Sequence, residues 1–338
     1  MLRLDQVIRL VLALLPVLLF LTALRLLDSY KLVSRYKVAA SLAAGAVAAA
    51  VCYVINSFMF QQFLQYQDQY ARLGAPVVEE LAKSVFWIFL IATARVAFMV
   101  DSAICGFAVG AGFSLVENVF YLQLLQEQGF GIWVLRGFST AVMHGGVDAI
   151  GALVSVYISE SRRWTGVRRF APGLLTAMVL HALFNSGVLS PVSSMAATVG
   201  VLPVVFLVVF YFSERSLHHW LGGKLDQDIE MISMISRGEF KQTPQGAYLM
   251  SLNDAFPPEV RGDMLTLLHL TLEISARAKG DLMLREAGLP VPPDPALESH
   301  FKELRYLEKA IGPTGMLAVR PLLSQTPRDL WEMHRLRR

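Results

Sequence analysis

The stretch Val77-Val78-Glu79-Glu80-Leu81-Ala82-Lys83-Ser84-Val85-Phe86-Trp87-Ile88-Phe89-Leu90 constrains this chain more than any other. Its apolar run is that of a membrane helix, yet two carboxyls and an ammonium stand in its first turns. Each ionisable group in hydrocarbon costs on the order of 2.5–3.5 kcal/mol on insertion scales. A chain that keeps three of them together needs partners for them or a use for them. On a helix, Glu79 and Lys83 are four apart and Glu80 and Lys83 three apart, so both pairs share a face. An interfacial helix start with a salt bridge would satisfy that much. Polar groups further along the chain ask for more.

The membrane setting follows from composition. Of 338 residues, 54% are hydrophobic, and mean hydropathy is +0.48, too apolar for an ordinary soluble protein. Charge is unevenly spread. Residues 1–213 hold 14 Lys+Arg and 10 Asp+Glu, while residues 214–338 hold 16 and 17. The expected fold class is therefore all-α: a polytopic membrane helix bundle over 1–213 and a C-terminal helical cytoplasmic domain over 214–338. Both parts are near neutral, so no nucleic-acid partner is expected. Cys52 and Cys105 fall in predicted spans without a CxxC or Cys/His pattern, which argues against a disulfide or a zinc finger.

Apolar runs of about 20 residues mark membrane spans. They predict about seven, near 7–27, 38–60, 76–98, 102–125, 133–158, 171–189 and 194–213. The first run, Val7 to Leu27, is longer than a signal-peptide core and lacks a small-residue cleavage site, so it reads as a span. Arg25, Lys31, Arg35 and Lys37 follow span one, and Arg162, Arg163, Arg168 and Arg169 follow span five. Short basic loops stay in the cytoplasm. The expected orientation is N-terminus outside and C-terminus cytoplasmic, a parity that seven spans satisfy. Gly106, Gly110 and Gly112 in span four predict close helix packing. In the tail, a helix is expected from Pro257-Pro258 to Ala287 with Gly288 as its stop, and another from Ala296 to Ile311. No catalytic motif marks the tail, and its five histidines lack metal-ligand spacing.

Four consecutive spans carry polar groups. After Glu79, Glu80 and Lys83 come Phe113-Ser114-Leu115-Val116-Glu117 in span four, His144-Gly145-Gly146-Val147-Asp148 in span five and His181-Ala182-Leu183-Phe184-Asn185 in span six. Each histidine has a polar residue four positions later on the same helical face. In the expected orientation, Glu79, Glu80, Glu117, His144, His181 and Asn185 all fall in the outer half of a ~30 Å core. One polar cavity open to the extracytoplasmic side is the expectation. Such a cavity suits hydrolysis by an activated water. A carboxylate removed from water binds a proton more tightly and serves as a base near neutral pH. The second carboxyl and Lys83 would brace it, and a histidine beside an amide or acid can orient the water or stabilise an oxyanion. Ser84 and Ser114 lie close by, but no nucleophile motif marks either.

The motifs Glu79-Glu80-x-x-Lys83, Phe113-x-x-x-Glu117, His144-x-x-x-Asp148 and His181-x-x-x-Asn185 resemble the PrsW family of intramembrane proteases, within the wider superfamily of CAAX prenyl endopeptidases and abortive-infection membrane proteins. The resemblance covers roughly residues 70–190 and not the tail. It implies a glutamic-type peptidase without a cofactor, with Glu79 as base and Glu80 and Lys83 in support. It implies that Glu117, His144 or His181 shares the water, and that His181 and Asn185 match an oxyanion-stabilising pair. It also implies a bacterial cytoplasmic (inner) membrane and a first cut in a membrane-anchored, single-span protein of the anti-sigma-factor type. Two other readings stay open on the residues. Glu79, Glu117, His144 and His181 are plausible ligands of a zinc-dependent membrane metalloprotease. An acid and histidine chain also suits proton or ion passage, or a membrane scaffold. Substrate identity and oligomeric state are not readable from these residues.

Overall fold

The computed structural model describes residues 4–125, 127–161, 164, 166–323 and 326–336. Among the described residues every regular element is helical. That is the outcome lipid demands, because a helix satisfies its own backbone hydrogen bonds. The chain divides into two units, Met1–Glu214 and Arg215–Arg338.

The first unit contains α1 (Leu4–Leu27), α2 (Arg35–Gln62), α3 (Ala75–Ala92), α4 (Met99–Leu124), α5 (Phe130–Ser161), α6 (Ala171–Asn185) and the first part of α7 (Pro191–Ser236). Six described helices are long and apolar enough to cross a membrane: α1, α2, α4, α5, α7 and the stretch Gly166–Asn185 that includes α6. The third expected span is not among them. Its helix, α3, has only 18 residues and carries Glu79, Glu80 and Lys83. It also stops six residues short of the expected end. Arg95 and Val96 donate backwards to the Leu90 carbonyl, and Ala94 adopts a left-handed φ of 52°, closing the helix as a C-terminal cap does. The seventh helix departs in the other direction. It was expected to stop at residue 213 but continues to Ser236: no proline lies between Glu214 and Ser236, and the helix runs through Gly222-Gly223. Of the loop arginines used for orientation, Arg162 and Arg163 lie outside the described residues.

Helix α4 is the centre of the first unit, with every residue from Val100 to Ser114 buried. Its start is fixed by Asp101, whose carboxylate accepts from the Ala97 and Phe98 amides at 3.2 and 2.8 Å. Small residues bring its neighbours close. A side-chain carbon at Gly110 would overlap the carbonyl of His144, and one at Gly112 would overlap that of Leu42. So α5 lies against one flank of α4 and α2 against another, with backbones near contact. Two π turns, Tyr70–Gly74 before α3 and Arg136–Ala141 within α5, interrupt the regular helices on either side of the polar residues.

The second unit holds the end of α7, then α8 (Pro244–Ser251), α9 (Pro258–Glu286), α10 (Leu297–Val319) and α11 (Pro327–Leu336). Met264, Leu267, Ile274, Phe301, Leu304 and Ile311 form its apolar core. Gly288, at φ 70°, closes the turn after α9. The helix expected to end at Ile311 continues past a kink at Gly312, whose φ is 71°, and Pro313.

Candidate active site

Helices α3, α4, α5 and α6 bring their polar residues to one place, in two rows. Glu79, Glu117, His144, His181 and Asn185 line a cavity of about 760 Å³, and Asn56 of α2 lines it beside Glu79. Behind that row stand Glu80, Lys83 and Asp148, whose side chains are 1%, 0% and 0% exposed, against 14% for Glu79 and 23% for Glu117.

Lys83 organises the back row. Its ammonium donates to Glu80 Oε1 and lies 3.1 Å from Asp148 Oδ2 and 3.3 Å from His144 Nδ1. Two of these contacts are hydrogen bonds, and the third, to Asp148, is an ion pair. Asp148 is held on its other oxygen by the Trp87 indole N–H at 3.2 Å. The shared helical face of His144 and Asp148 therefore does not become a pair. Lys83 stands between them, hydrogen-bonded to His144 and ion-paired with Asp148. Likewise the three-residue spacing of Glu80 and Lys83 becomes the ion pair, while Glu79 turns to Asn56 Nδ2 at 3.1 Å and toward His181 Nε2 at 3.8 Å. Ser84 and Ser114 hydroxyls donate to their own helix backbones.

The two imidazoles take opposite tautomers. An ammonium only donates, so His144 Nδ1 accepts and the neutral ring carries its hydrogen on Nε2. Glu117 Oε2 lies 3.3 Å from that nitrogen without accepting a hydrogen bond from it. His181 is reversed. Its Nδ1 lies 2.6 Å from Glu80 Oε1, an acceptor, so Nδ1 carries a hydrogen; the neutral ring then keeps its lone pair on Nε2, which lies 3.8 Å from Glu79 Oε2. The two rings meet edge to face, with centroids 4.8 Å apart.

Residues 34–213 match the family model described as PrsW family intramembrane metalloprotease. The chain belongs to the PrsW family. It is thereby a membrane hydrolase of an intramembrane protease family, and its substrate is a membrane protein in a lipid setting. No curated protein and no solved structure matches it.

The family's description raises a metal ion, and ligand atoms of Glu79, His144 and His181 do lie within 4.8 Å of one another. A ligating histidine gives the metal a lone pair and its other N–H to an acceptor. His181 satisfies both conditions. His144 satisfies neither: its other nitrogen faces an ammonium, and the nitrogen toward the cavity carries hydrogen. The donor set does not fit a three-ligand ion.

Several residues of this PrsW site escape a reading of motifs. Asn56 reaches Glu79 from α2, and the Tyr70 hydroxyl donates to Asn56 Oδ1 at 2.7 Å. Arg136 lies 3.4 Å from Glu117, donates to Asn118 Oδ1 at 2.8 Å and covers the Tyr121 ring. The signal for both Asn56 and Arg136 was a single polar residue inside or at the edge of an apolar run. Asn185 lines the cavity, with its amide 3.4 Å from the Ala71 carbonyl.

Proposed function

We propose that this PrsW protein is a glutamic-type intramembrane endopeptidase in which Glu79 activates the water. One observation carries the reading: of the two adjacent glutamates, Glu79 faces the cavity while Glu80 is buried against Lys83 and His181. Glu79 is the base and Glu80 the brace. The water gives one hydrogen bond to Glu79 and the other to the His181 Nε2 lone pair. As its oxygen attacks the peptide carbonyl carbon, its proton passes to Glu79. The carbonyl oxygen, now an oxyanion, takes hydrogen bonds from His144 Nε2–H and the Asn185 amide. Glu79 then passes its proton to the leaving nitrogen and the carbon–nitrogen bond breaks. Glu117 and Arg136 hold His144 from the cavity side, and Lys83, Glu80 and Asp148 form the rigid backing.

The proposed substrate is a single-span, anti-sigma-factor-like membrane protein, cut first on the extracytoplasmic side of a bacterial inner membrane; the family and the membrane setting support this reading. The proposed topology has seven spans, with the short helix α3 as the third, residues 1–213 as the protease domain and residues 214–338 cytoplasmic. A cavity in the outer half suits a cut outside and does not suit a prenylated protein offered from the cytoplasm.

The test is cleavage of co-expressed single-span substrates by the purified protein in detergent. The parental protein should cut and Glu79→Gln should not, while its melting stays unchanged. Cutting by Glu79→Gln at the parental rate overturns the reading. Absence of any cutting by the parental protein would turn attention to proton passage.

A further inference from the structure

We infer that Asn56 and Tyr70 are positioning residues for Glu79, forming a relay that runs from the cavity wall to the base. The inference rests on the reading of Glu79 as base. Neither residue falls in the four motifs. Asn56 belongs to α2, and Tyr70 begins the π turn that leads into α3.

The direction of the relay follows from hydrogen-bonding capacity. An ionised carboxylate only accepts, so Asn56 must turn its NH₂ toward Glu79 Oε1, at 3.1 Å. Its carbonyl oxygen then faces Tyr70, whose hydroxyl must donate, at 2.7 Å. Three groups are thus oriented in one sense. Glu79 Oε1 is held, and Oε2 is left toward His181 Nε2 and the cavity. A base with one oxygen fixed and the other free presents a single lone-pair direction to the water, which is the preorganisation catalysis needs.

Tyr70 is itself held. Its ring lies edge-on to Phe60, at 5.1 Å and 83°, and stacks with Phe63 at 6.2 Å. A side-chain carbon at Gly74, one turn later, would overlap the same ring. The ring fills the space that this glycine leaves, and the hydroxyl has little freedom to leave Asn56.

The experiment compares Asn56→Asp, Asn56→Ala, Tyr70→Phe and the double variant Asn56→Ala/Tyr70→Phe for kcat and KM on one detergent-solubilised substrate, with melting curves as a control. Asp matches Asn in shape and keeps the acceptor for Tyr70, but sets a carboxylate against Glu79. If Asn56 merely filled space, Asp would be the milder change. The relay predicts the reverse order: Asn56→Ala loses about 10- to 100-fold in kcat, the weight of a hydrogen bond to a charged group, Asn56→Asp loses more, and KM moves little. Tyr70→Phe removes only a hydroxyl, folds normally and lowers kcat by a smaller factor. In the Asn56→Ala background the same change does nothing further, because the relay is already cut. Parental kcat in Asn56→Ala and Tyr70→Phe, or Asn56→Asp more active than Asn56→Ala, overturns the inference. Glu79→Gln separates the two levels: if it is inactive while the Asn56 variants are unaffected, the relay fails and the base stands. If Glu79→Gln is active, the reading of the base has failed.

Discussion

The ammonium of Lys83 lies 3.3 Å from Nδ1 of His144, and that contact fixes which nitrogen of the ring faces the cavity with a hydrogen. A ring so held donates from Nε2 and cannot also give a metal its lone pair there. The prediction is that strong chelators leave cleavage unchanged and that the purified protein carries no stoichiometric zinc. Nitrogen-15 spectra of labelled histidine should show one ring with hydrogen on Nε2 and the other, His181, with hydrogen on Nδ1. Activity lost to a chelator and restored by zinc would sink the assignment.

Glu79 and Glu80 are adjacent in sequence but differ in what their loss should do. Glu79 lines the cavity, so Glu79→Gln removes the base and little packing. The expected loss is on the order of 10²–10⁴-fold in kcat, the usual weight of a general base, at parental stability. Glu80 is buried against Lys83 and His181. Glu80→Gln leaves Lys83 under-compensated, which costs on the order of 3 kcal/mol when a buried pair is broken. It should lower both activity and melting temperature. Equal melting of the two variants, measured in one detergent, would contradict the division into a cavity row and a backing row.

The helices and the motif residues were legible because both depend on local spacing. Glu80 and Lys83 pair across three positions of one helix, and an apolar run in lipid has only the helix to adopt. What spacing could not tell was the choice among acceptors. His144 and Asp148 share a face, and only the packing of α3 against α5 puts Lys83 between them. Asn56 is an amide between Ile55 and Ser57 near the end of an apolar run, and Tyr70 sits in a connection. Their link to Glu79 needs three separate segments to meet, which no pattern along the chain records. The continuation of α7 to Ser236 was hidden for the opposite reason. The change from apolar to charged residues after Ser213 marks a change of surroundings and not of backbone, so a composition boundary looked like a helix end.

Gly110 offers a test of how the site is held. A methyl group there meets the backbone of His144, which cannot yield without moving α5. Gly110→Ala should therefore destabilise by about 1–3 kcal/mol, as overpacking does, and lower kcat by displacing His144. Gly200, on α7, has open space where a Cβ would stand. Gly200→Ala should stabilise by roughly 0.5–1 kcal/mol through helix propensity alone. Opposite signs for the same substitution on two helices would trace the effect to close approach. Two melting curves suffice, and a neutral Gly110→Ala would mean that α4 and α5 lie farther apart than described.

The second unit contains a buried ionisable cluster with a pH dependence of its own. Glu332 on α11 is fully buried, accepts from Ser275 Oγ at 2.8 Å and lies 3.1 Å from Lys279 Nζ, which also meets Asp228 at 2.9 Å. Burial pushes the Glu332 carboxyl from 4.5 up to about 7, against the pull of Lys279. Between those values the folded protein keeps a proton that the unfolded chain has released. Stability from this group is therefore full below about pH 4.5, declines as pH rises toward 7 and is flat above it. The span amounts to a few kcal/mol at about 1.4 kcal/mol per unit. Glu332→Gln, which keeps the acceptor without the charge, should remove the decline. Hydrogen exchange of the α11 amides in the full-length protein, corrected for intrinsic rates, reads it directly. Protection should fall between pH 5 and pH 7.5 in the parental protein and stay level in Glu332→Gln, whereas parental protection that rises over the same interval would show the ion pair with Lys279 outweighing burial.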